Sequence, residues 1–156
     1  DGFAVITGGG PGIMEAANKG AVEAKGRSAG INIQLPRKQQ TNPYVKESVA
    51  LHYFFIRKVM LSFASDVYIF FPGGFGTLDE MFELVTLVQT KKIRPIPIIL
   101  VDKEYWTPLL LWIEHELYAK RRAVGKQDLD IYHLVDNAQE AFKLISRMVV
   151  HAKKEA

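Results

Sequence analysis

Short apolar runs of strand length alternate along this chain with longer segments whose apolar residues recur at helical spacing, the pattern of βαβ units around a mostly parallel sheet. Residues 3–7 read as a strand, Gly8 to Gly12 as a glycine turn, and residues 13–25 as a helix with Ile13, Ala16, Ala17, Gly20, Ala21 and Ala24 on one face. Gly26 ends that helix. A second strand is expected over 28–35, a polar loop over 36–44, a short strand at 49–51, and a helix over 53–64 that offers Phe54, Val59, Leu61 and Phe63 for packing. The run Val-Tyr-Ile-Phe-Phe at 67–71 is β-branched and aromatic throughout, so it is expected buried on both faces at the centre of the sheet. It leads into Pro72-Gly73-Gly74-Phe75-Gly76-Thr77 and a helix over 78–90 with Met81, Leu84, Val85 and Val88 on its core face. A strand at 96–101, a helix over 105–122 and a closing helix over 137–153, capped by Asp136 or Asn137, complete the series.

Composition narrows the field. A chain of 156 residues, 48% hydrophobic and 24% charged, has the apolar mass for one globular domain, read here as spanning 1–156. Its greasiest runs, 67–71 and 96–101, fall far short of the roughly 18 apolar residues of a membrane span, so a soluble protein without a membrane partner is expected. There is no cysteine, which removes disulfides, thiolate metal sites and cysteine nucleophiles and points to a reducing cytoplasm. His52, His115, His133 and His151 show no metal-ligand spacing, so no metal is expected. The net charge of +3 and pI near 9.1 permit an anionic partner. The basic residues cluster only briefly, at 91–94, 120–122 and 153–154, which suits phosphorylated small molecules better than nucleic acid. The first strand follows Asp1 at once, so the chain reads as starting inside a fold, with a strand and helix expected upstream.

Two strand–glycine–helix junctions stand out: Thr7-Gly8-Gly9-Gly10-Pro11-Gly12-Ile13-Met14 and Pro72-Gly73-Gly74-Phe75-Gly76-Thr77. Each offers backbone N–H groups beside a helix N-terminus, the geometry that holds a phosphate at the carboxyl end of a strand. Neither is followed by Gly-Lys-Ser or Gly-Lys-Thr, and neither meets Gly-x-Gly-x-x-Gly, so ATPase and dinucleotide readings lose their support. Thr77 is expected at a helix N-cap, with Asp79 complementing the helix dipole. Glu80, three residues beyond Thr77, can project towards a ligand held by the turn, as a general base or as a charge that stabilises a cationic transition state. Glu83 falls on nearly the same face, and helix geometry alone does not separate the two. Arg57 and Lys58 sit inside an apolar helix, where a charge either snorkels or pairs with an anion; the planar fork of Arg57 suits phosphate, with Glu80 or a ligand as its partner. Trp106 and Trp112 are expected in the core or at a subunit interface.

The segment Pro72-Gly73-Gly74-Phe75-Gly76-Thr77-Leu78-Asp79-Glu80 fits Pro-Gly-Gly-x-Gly-Thr-x-x-Glu and so resembles the LOG (Lonely Guy) family, cytokinin riboside 5'-monophosphate phosphoribohydrolases. Gly8-Gly9-Gly10-Pro11-Gly12-Ile13-Met14 is similar to that family's upstream glycine motif, and Arg57-Lys58-Val59-Met60-Leu61 to its Arg-Lys segment. Asn42-Pro43-Tyr44 and His52-Tyr53-Phe54-Phe55 resemble its bacterial branch, whose members often carry a lysine decarboxylase label. A pyridoxal-phosphate decarboxylase needs a larger fold and a Schiff-base lysine, and nothing in this sequence marks one.

The resemblance implies a three-layer α/β, Rossmann-like fold, a homodimer, and hydrolysis of the N-glycosidic bond of AMP or an N6-modified AMP to free base and ribose 5-phosphate, without a cofactor. By the same resemblance Arg57 and Glu80 are the catalytic residues, Gly73, Gly74, Gly76 and Thr77 bind phosphate and ribose, Gly9, Gly10 and Met14 line the nucleotide pocket, and Lys58 assists binding. The family's upstream strand and Gly-Ser loop have no counterpart in this chain. The alternative is a non-catalytic nucleotide or molybdenum-cofactor carrier of the same superfamily, which has no need of both Glu80 and Arg57.

Overall fold

The structure is a computed structural model that describes residues 2–34 and 40–152. Packing divides the chain into two units, Asp1–Ser65 and Asp66–Ala156. Within the first, β1 (Val5–Thr7), β2 (Ser28–Ile33) and β3 (Glu47–Leu51) form a parallel sheet in that order, with α1 (Ile13–Glu23) and α2 (Phe54–Ala64) as its helices. The register sets Val5 beside Ser28 and Thr7 beside Gly30, so β1 and β2 start level and β2 runs on three residues further, to Ile33, where it pairs with Leu51 of β3. Of the polar loop expected at 36–44, residues 36–39 lie outside the described residues, as do residue 35 of the expected strand and residue 153 of the expected closing helix.

Two expectations for this unit need correction. The face of α1 turned inward carries Met14, Ala17, Asn18 and Ala21, with Asn18 wholly buried, whereas Ile13, Ala16, Gly20 and Ala24 are exposed. An apolar-only search rotates the helix because its most buried residue is a carboxamide. On α2, Phe54, Val59 and Phe63 are exposed and only Ser62 is fully buried, while Arg57, Lys58 and Leu61 are half-buried. Long charged stems and a serine therefore occupy the inward face, and the aromatic side chains stand outside.

The second unit has an apolar interior. Here β4 (Tyr68–Phe70), β5 (Ile98–Val101) and β6 (Tyr132–Val135) pair in parallel in that order, with α3 (Phe75–Gln89), α4 (Lys103–Trp112) and α5 (Ala138–Ala152) around them. The helical path of α4 continues over Ile113–Lys120 in a wider turn. Alternation along β5 divides the core: Ile98 and Leu100 pack with Met81, Leu84 and Trp106, while Ile99 and Val101 pack with Val135 and Ala141. Helices on both faces make three layers, the expected α/β architecture. Within this three-stranded sheet β5 is the middle strand and the run at 67–71 supplies its neighbour β4, with Ile69 exposed rather than buried on both faces. No strand was expected at 132–135; the segment holds only four residues and includes a histidine. Asn137 caps α5, accepting from the Glu140 amide at 3.0 Å, while the Glu140 carboxylate accepts from the Asp136 amide at 3.0 Å. Among the described residues no helix is long and apolar enough to cross a membrane.

Trp106 is fully buried in this core, and its indole Nε1 donates to the Val101 carbonyl at 3.0 Å. Trp112 is half exposed, so the two tryptophans have separate environments. Trp106→Ala is expected to cost about 3–5 kcal/mol of stability from lost burial and the cavity left behind, read from the midpoint of denaturant unfolding.

Candidate functional site

The first glycine turn connects β1 to α1, and its glycines answer to definite neighbours. Gly9 has φ +74°, and a β-carbon there would lie 2.6 Å from Asn32 Oδ1, so both backbone conformation and space require glycine. A β-carbon on Gly8 would meet Arg57 Nη2 at 2.6 Å and Met14 Sδ at 2.9 Å. Met14 and Arg57 thus meet at Gly8, at the end of β1 where the turn runs on through Gly9 and Gly10. Arg57 Nε donates to the Ile31 carbonyl at 3.0 Å, which fixes the guanidinium on β2 with Nη2 facing the turn. Arg57 and Lys58 are both half-buried, so neither is a surface-facing charge.

Behind this turn lies a hydrogen-bond network that sequence reasoning missed. The Asn18 carboxamide accepts from Thr7 Oγ1 at 2.7 Å and from Asn42 Nδ2 at 3.0 Å, and it donates to Ser28 Oγ at 2.8 Å and the Ala29 carbonyl at 3.3 Å. All four of its hydrogen-bonding positions are in use. Asn42, also buried, donates through its amide to the Gly10 carbonyl at 3.0 Å, and its backbone N–H donates to the Gly9 carbonyl at 2.9 Å. Thr7 Oγ1 accepts from the Gly9 amide at 2.9 Å. Two carbonyls and one amide of the turn are therefore held from behind. The available signal was a polar residue in the small-residue stripe of α1, with Asn42 in a loop that composition alone labels as surface.

The second turn opens α3 earlier than expected. The N-cap is Gly74, and the amides of Thr77 and Leu78 both donate to its carbonyl, at 3.0 and 3.2 Å. Thr77 is consequently the third residue of the helix rather than its cap, and Phe75 and Gly76 form the first turn. Its side chain packs onto Gly73, where a β-carbon would overlap the Thr77 hydroxyl. Nothing lies within 4 Å of the β-carbon positions of Gly74 and Gly76, and neither has positive φ. Among the described residues the amides of Gly74, Phe75 and Gly76 find no acceptor, as the start of a helix leaves them. Glu80 follows Thr77 by three residues on the same helix face and is half-buried, as is Glu83, whereas Asp79 is exposed. A shallow depression of about 420 Å³ on the next stretch of α3 is lined by Asp79, Phe82, Glu83, Thr86 and Leu87. Tyr105 Oη donates to the Gly73 carbonyl at 2.6 Å, a contact across 32 positions that no local pattern announces. Among the described residues no cluster of three or more His, Cys, Asp or Glu side chains is arranged to hold a metal.

Comparison with known proteins agrees with the motifs. The family described as "Possible lysine decarboxylase" matches residues 14–145. A cytokinin riboside 5'-monophosphate phosphoribohydrolase of Arabidopsis thaliana is 32% identical over 115 residues, 70% of this chain and 49% of that protein. Its namesake from Rhodococcoides fascians is 39% identical over 59 residues, 38% of this chain and 30% of that protein. The chain spans about a third to a half of the length of these relatives. Among solved structures, the molybdenum cofactor binding protein of Rippkaea orientalis superposes with a TM-score of 0.68 at 23% identity, covering 95% of this chain and 78% of that one. The molybdenum cofactor carrier protein of Chlamydomonas reinhardtii gives 0.62 at 20% identity, covering 96% and 79%. These neighbours share the Rossmann-like fold. The chain belongs to the lysine decarboxylase-labelled family that includes the LOG proteins.

Removing the hub of the first turn should be costly. Asn18→Ala leaves the Thr7 and Ser28 hydroxyls and the Asn42 amide short of a buried partner, and a loss of about 3 kcal/mol is expected from thermal or denaturant unfolding. A loss below about 1 kcal/mol would show that the turn is held by other means.

Proposed function

We propose that this member of the LOG family hydrolyses the N-glycosidic bond of a purine nucleoside 5'-monophosphate, AMP or an N6-modified AMP, to free base and ribose 5-phosphate. The observation that carries the reading is the pair Gly74 and Gly76. Neither conformation nor internal packing calls for glycine at these positions, and Gly76 occupies a helical position where alanine would be favoured by up to about 1 kcal/mol. A phosphate drawn against the free amides of the first turn of α3 would need that bare backbone.

In this reading the second turn binds the 5'-phosphate and ribose through Gly73, Gly74, Gly76 and Thr77. As C1' separates from the base nitrogen, positive charge builds on the ribosyl ring. The Glu80 carboxylate stabilises that charge and takes a proton from the water whose oxygen bonds to C1', and that proton passes on to the nitrogen of the departing base, so that neutral base and ribose 5-phosphate are released and the carboxylate is restored. Arg57, pinned by its Nε to β2, offers its remaining donors to the substrate, with Lys58 assisting and Gly9, Gly10 and Met14 lining the nucleotide pocket. Phosphate binding remote from the broken bond supplies positioning, so adenosine should turn over far more slowly than AMP. No step calls for a redox or carbonyl-type cofactor.

We also propose a homodimer in the cytoplasm, a state supported by the exposed Phe54, Phe55, Val59 and Phe63 of α2. Sedimentation at the 17.6 kDa mass of a single chain at micromolar concentration would count against assembly.

The function is tested by chromatography of products after incubation with AMP. Adenine and ribose 5-phosphate are expected from the wild type, with Glu80→Gln slower by at least about a hundredfold. Gly76→Ala should keep or slightly raise the melting temperature while lowering kcat/KM by about tenfold or more, since the added methyl occupies the phosphate's approach. Binding of AMP without products would turn the reading to a carrier. Equal turnover of AMP and adenosine would remove the role given to the phosphate.

A further inference from the structure

The second glycine turn contains a peptide plane with few restraints of its own. The 73–74 peptide lies between two glycines, the residues least able to hinder rotation of the plane joining them. The 73–74 bond, like the other peptide bonds among the described residues, is trans, so the Gly73 carbonyl and the Gly74 N–H point in opposite directions. Whatever holds the carbonyl decides where the amide points. That partner is Tyr105, whose hydroxyl donates to the Gly73 carbonyl at 2.6 Å.

Tyr105 is itself firmly mounted. Its amide donates to Asp102 Oδ1 at 3.2 Å, at the N-terminus of α4 immediately after the buried strand β5. Its ring meets Trp106 edge to face, with centroids 4.9 Å apart, and Trp106 is wholly buried and bonded to Val101. The hydroxyl therefore reaches the glycine turn from a ring seated against the buried Trp106.

We propose that Tyr105 is a positioning residue for the second glycine turn, drawing the Gly73 carbonyl back so that the Gly74 amide faces the substrate's phosphate. The proposal rests on the phosphate-binding role given to this turn above. Without the hydroxyl the 73–74 plane can rotate and present its carbonyl oxygen to an anion, which repels it. The effect belongs to ligands that carry phosphate, whereas a general weakening of the fold would touch every ligand.

Tyr105→Phe tests this, since it removes one oxygen and keeps the ring contact with Trp106. Calorimetry is run on wild type and variant with ribose 5-phosphate and, separately, adenine, alongside steady-state kinetics on AMP. The variant is expected to bind ribose 5-phosphate about tenfold more weakly, with adenine binding within about twofold of wild type and the melting temperature within about 2 °C. KM for AMP should rise by about the same tenfold, with kcat within about twofold. Ribose 5-phosphate binding unchanged in the variant, or an equal loss for adenine, would overturn the role of Tyr105 and leave the proposed hydrolysis standing. Failure of the wild type to bind ribose 5-phosphate would overturn the phosphate site itself, and this proposal with it.

Discussion

A backbone amide can serve a ligand only when the carbonyl on the same peptide plane is satisfied elsewhere. That constraint governs both glycine turns of this protein. Glycine backbone is accommodating, and accommodation alone gives a loop without direction. Direction comes from residues outside the glycine turns: the Asn42 backbone N–H holds the Gly9 carbonyl, on the plane that carries the Gly10 amide, and the Tyr105 hydroxyl holds the carbonyl of Gly73. Each anchor is secured in turn by something buried, the Asn18 carboxamide in one case and the Trp106 core in the other. The two solutions differ in chemistry and agree in logic.

The difference in chemistry follows the interiors. Around β5 the sequence supplies Ile, Leu, Met and Trp, and an aromatic ring with a polar tip is the natural means of reaching out from such a core. Around β2 the buried positions include Asn18, Ser28 and Asn42, so positioning is done by carboxamides with saturated hydrogen bonding. A carboxamide with both of its atoms fully engaged specifies geometry more tightly than apolar packing, at the cost of tolerating almost no substitution. The half-buried Arg57 fits the same style, using Nε on the Ile31 carbonyl to set the direction of its fork.

The fold class was legible in the alternation of strand-length and helix-length segments, and most element positions followed from it. What was illegible has identifiable causes. The inward face of α1 was misread because its key residue, Asn18, is polar. The start of α3 was placed too late because Gly76 is a poor helix former and hides the first turn. The run at 67–71 reads as buried on both faces because its residues are uniformly apolar, whereas Ile69 is exposed, a matter of what packs on each face that composition does not encode. Of the candidate site, the residues carrying the motifs were visible in the sequence: Met14 and Arg57 meet at Gly8, next to Gly9, and Thr77 packs onto Gly73. Those that aim the motifs were not, because the contact of Tyr105 with Gly73 depends on tertiary structure alone.

The polar interior of residues 1–65 also bears on how this part of the chain responds to temperature. Heat capacity rises on unfolding mainly through newly wetted apolar surface and is lowered by newly wetted polar groups. Among the described residues of this segment the buried side chains include the amides of Asn18 and Asn42 and the hydroxyls of Ser28 and Ser62, beside the apolar Ala21 and Ile31. Polar burial of this kind lowers the segment's share of the heat-capacity increment, and a smaller increment flattens the dependence of stability on temperature, so the hydrogen-bonded turn is expected to lose less of its hold on warming or cooling than an apolar core of equal size would.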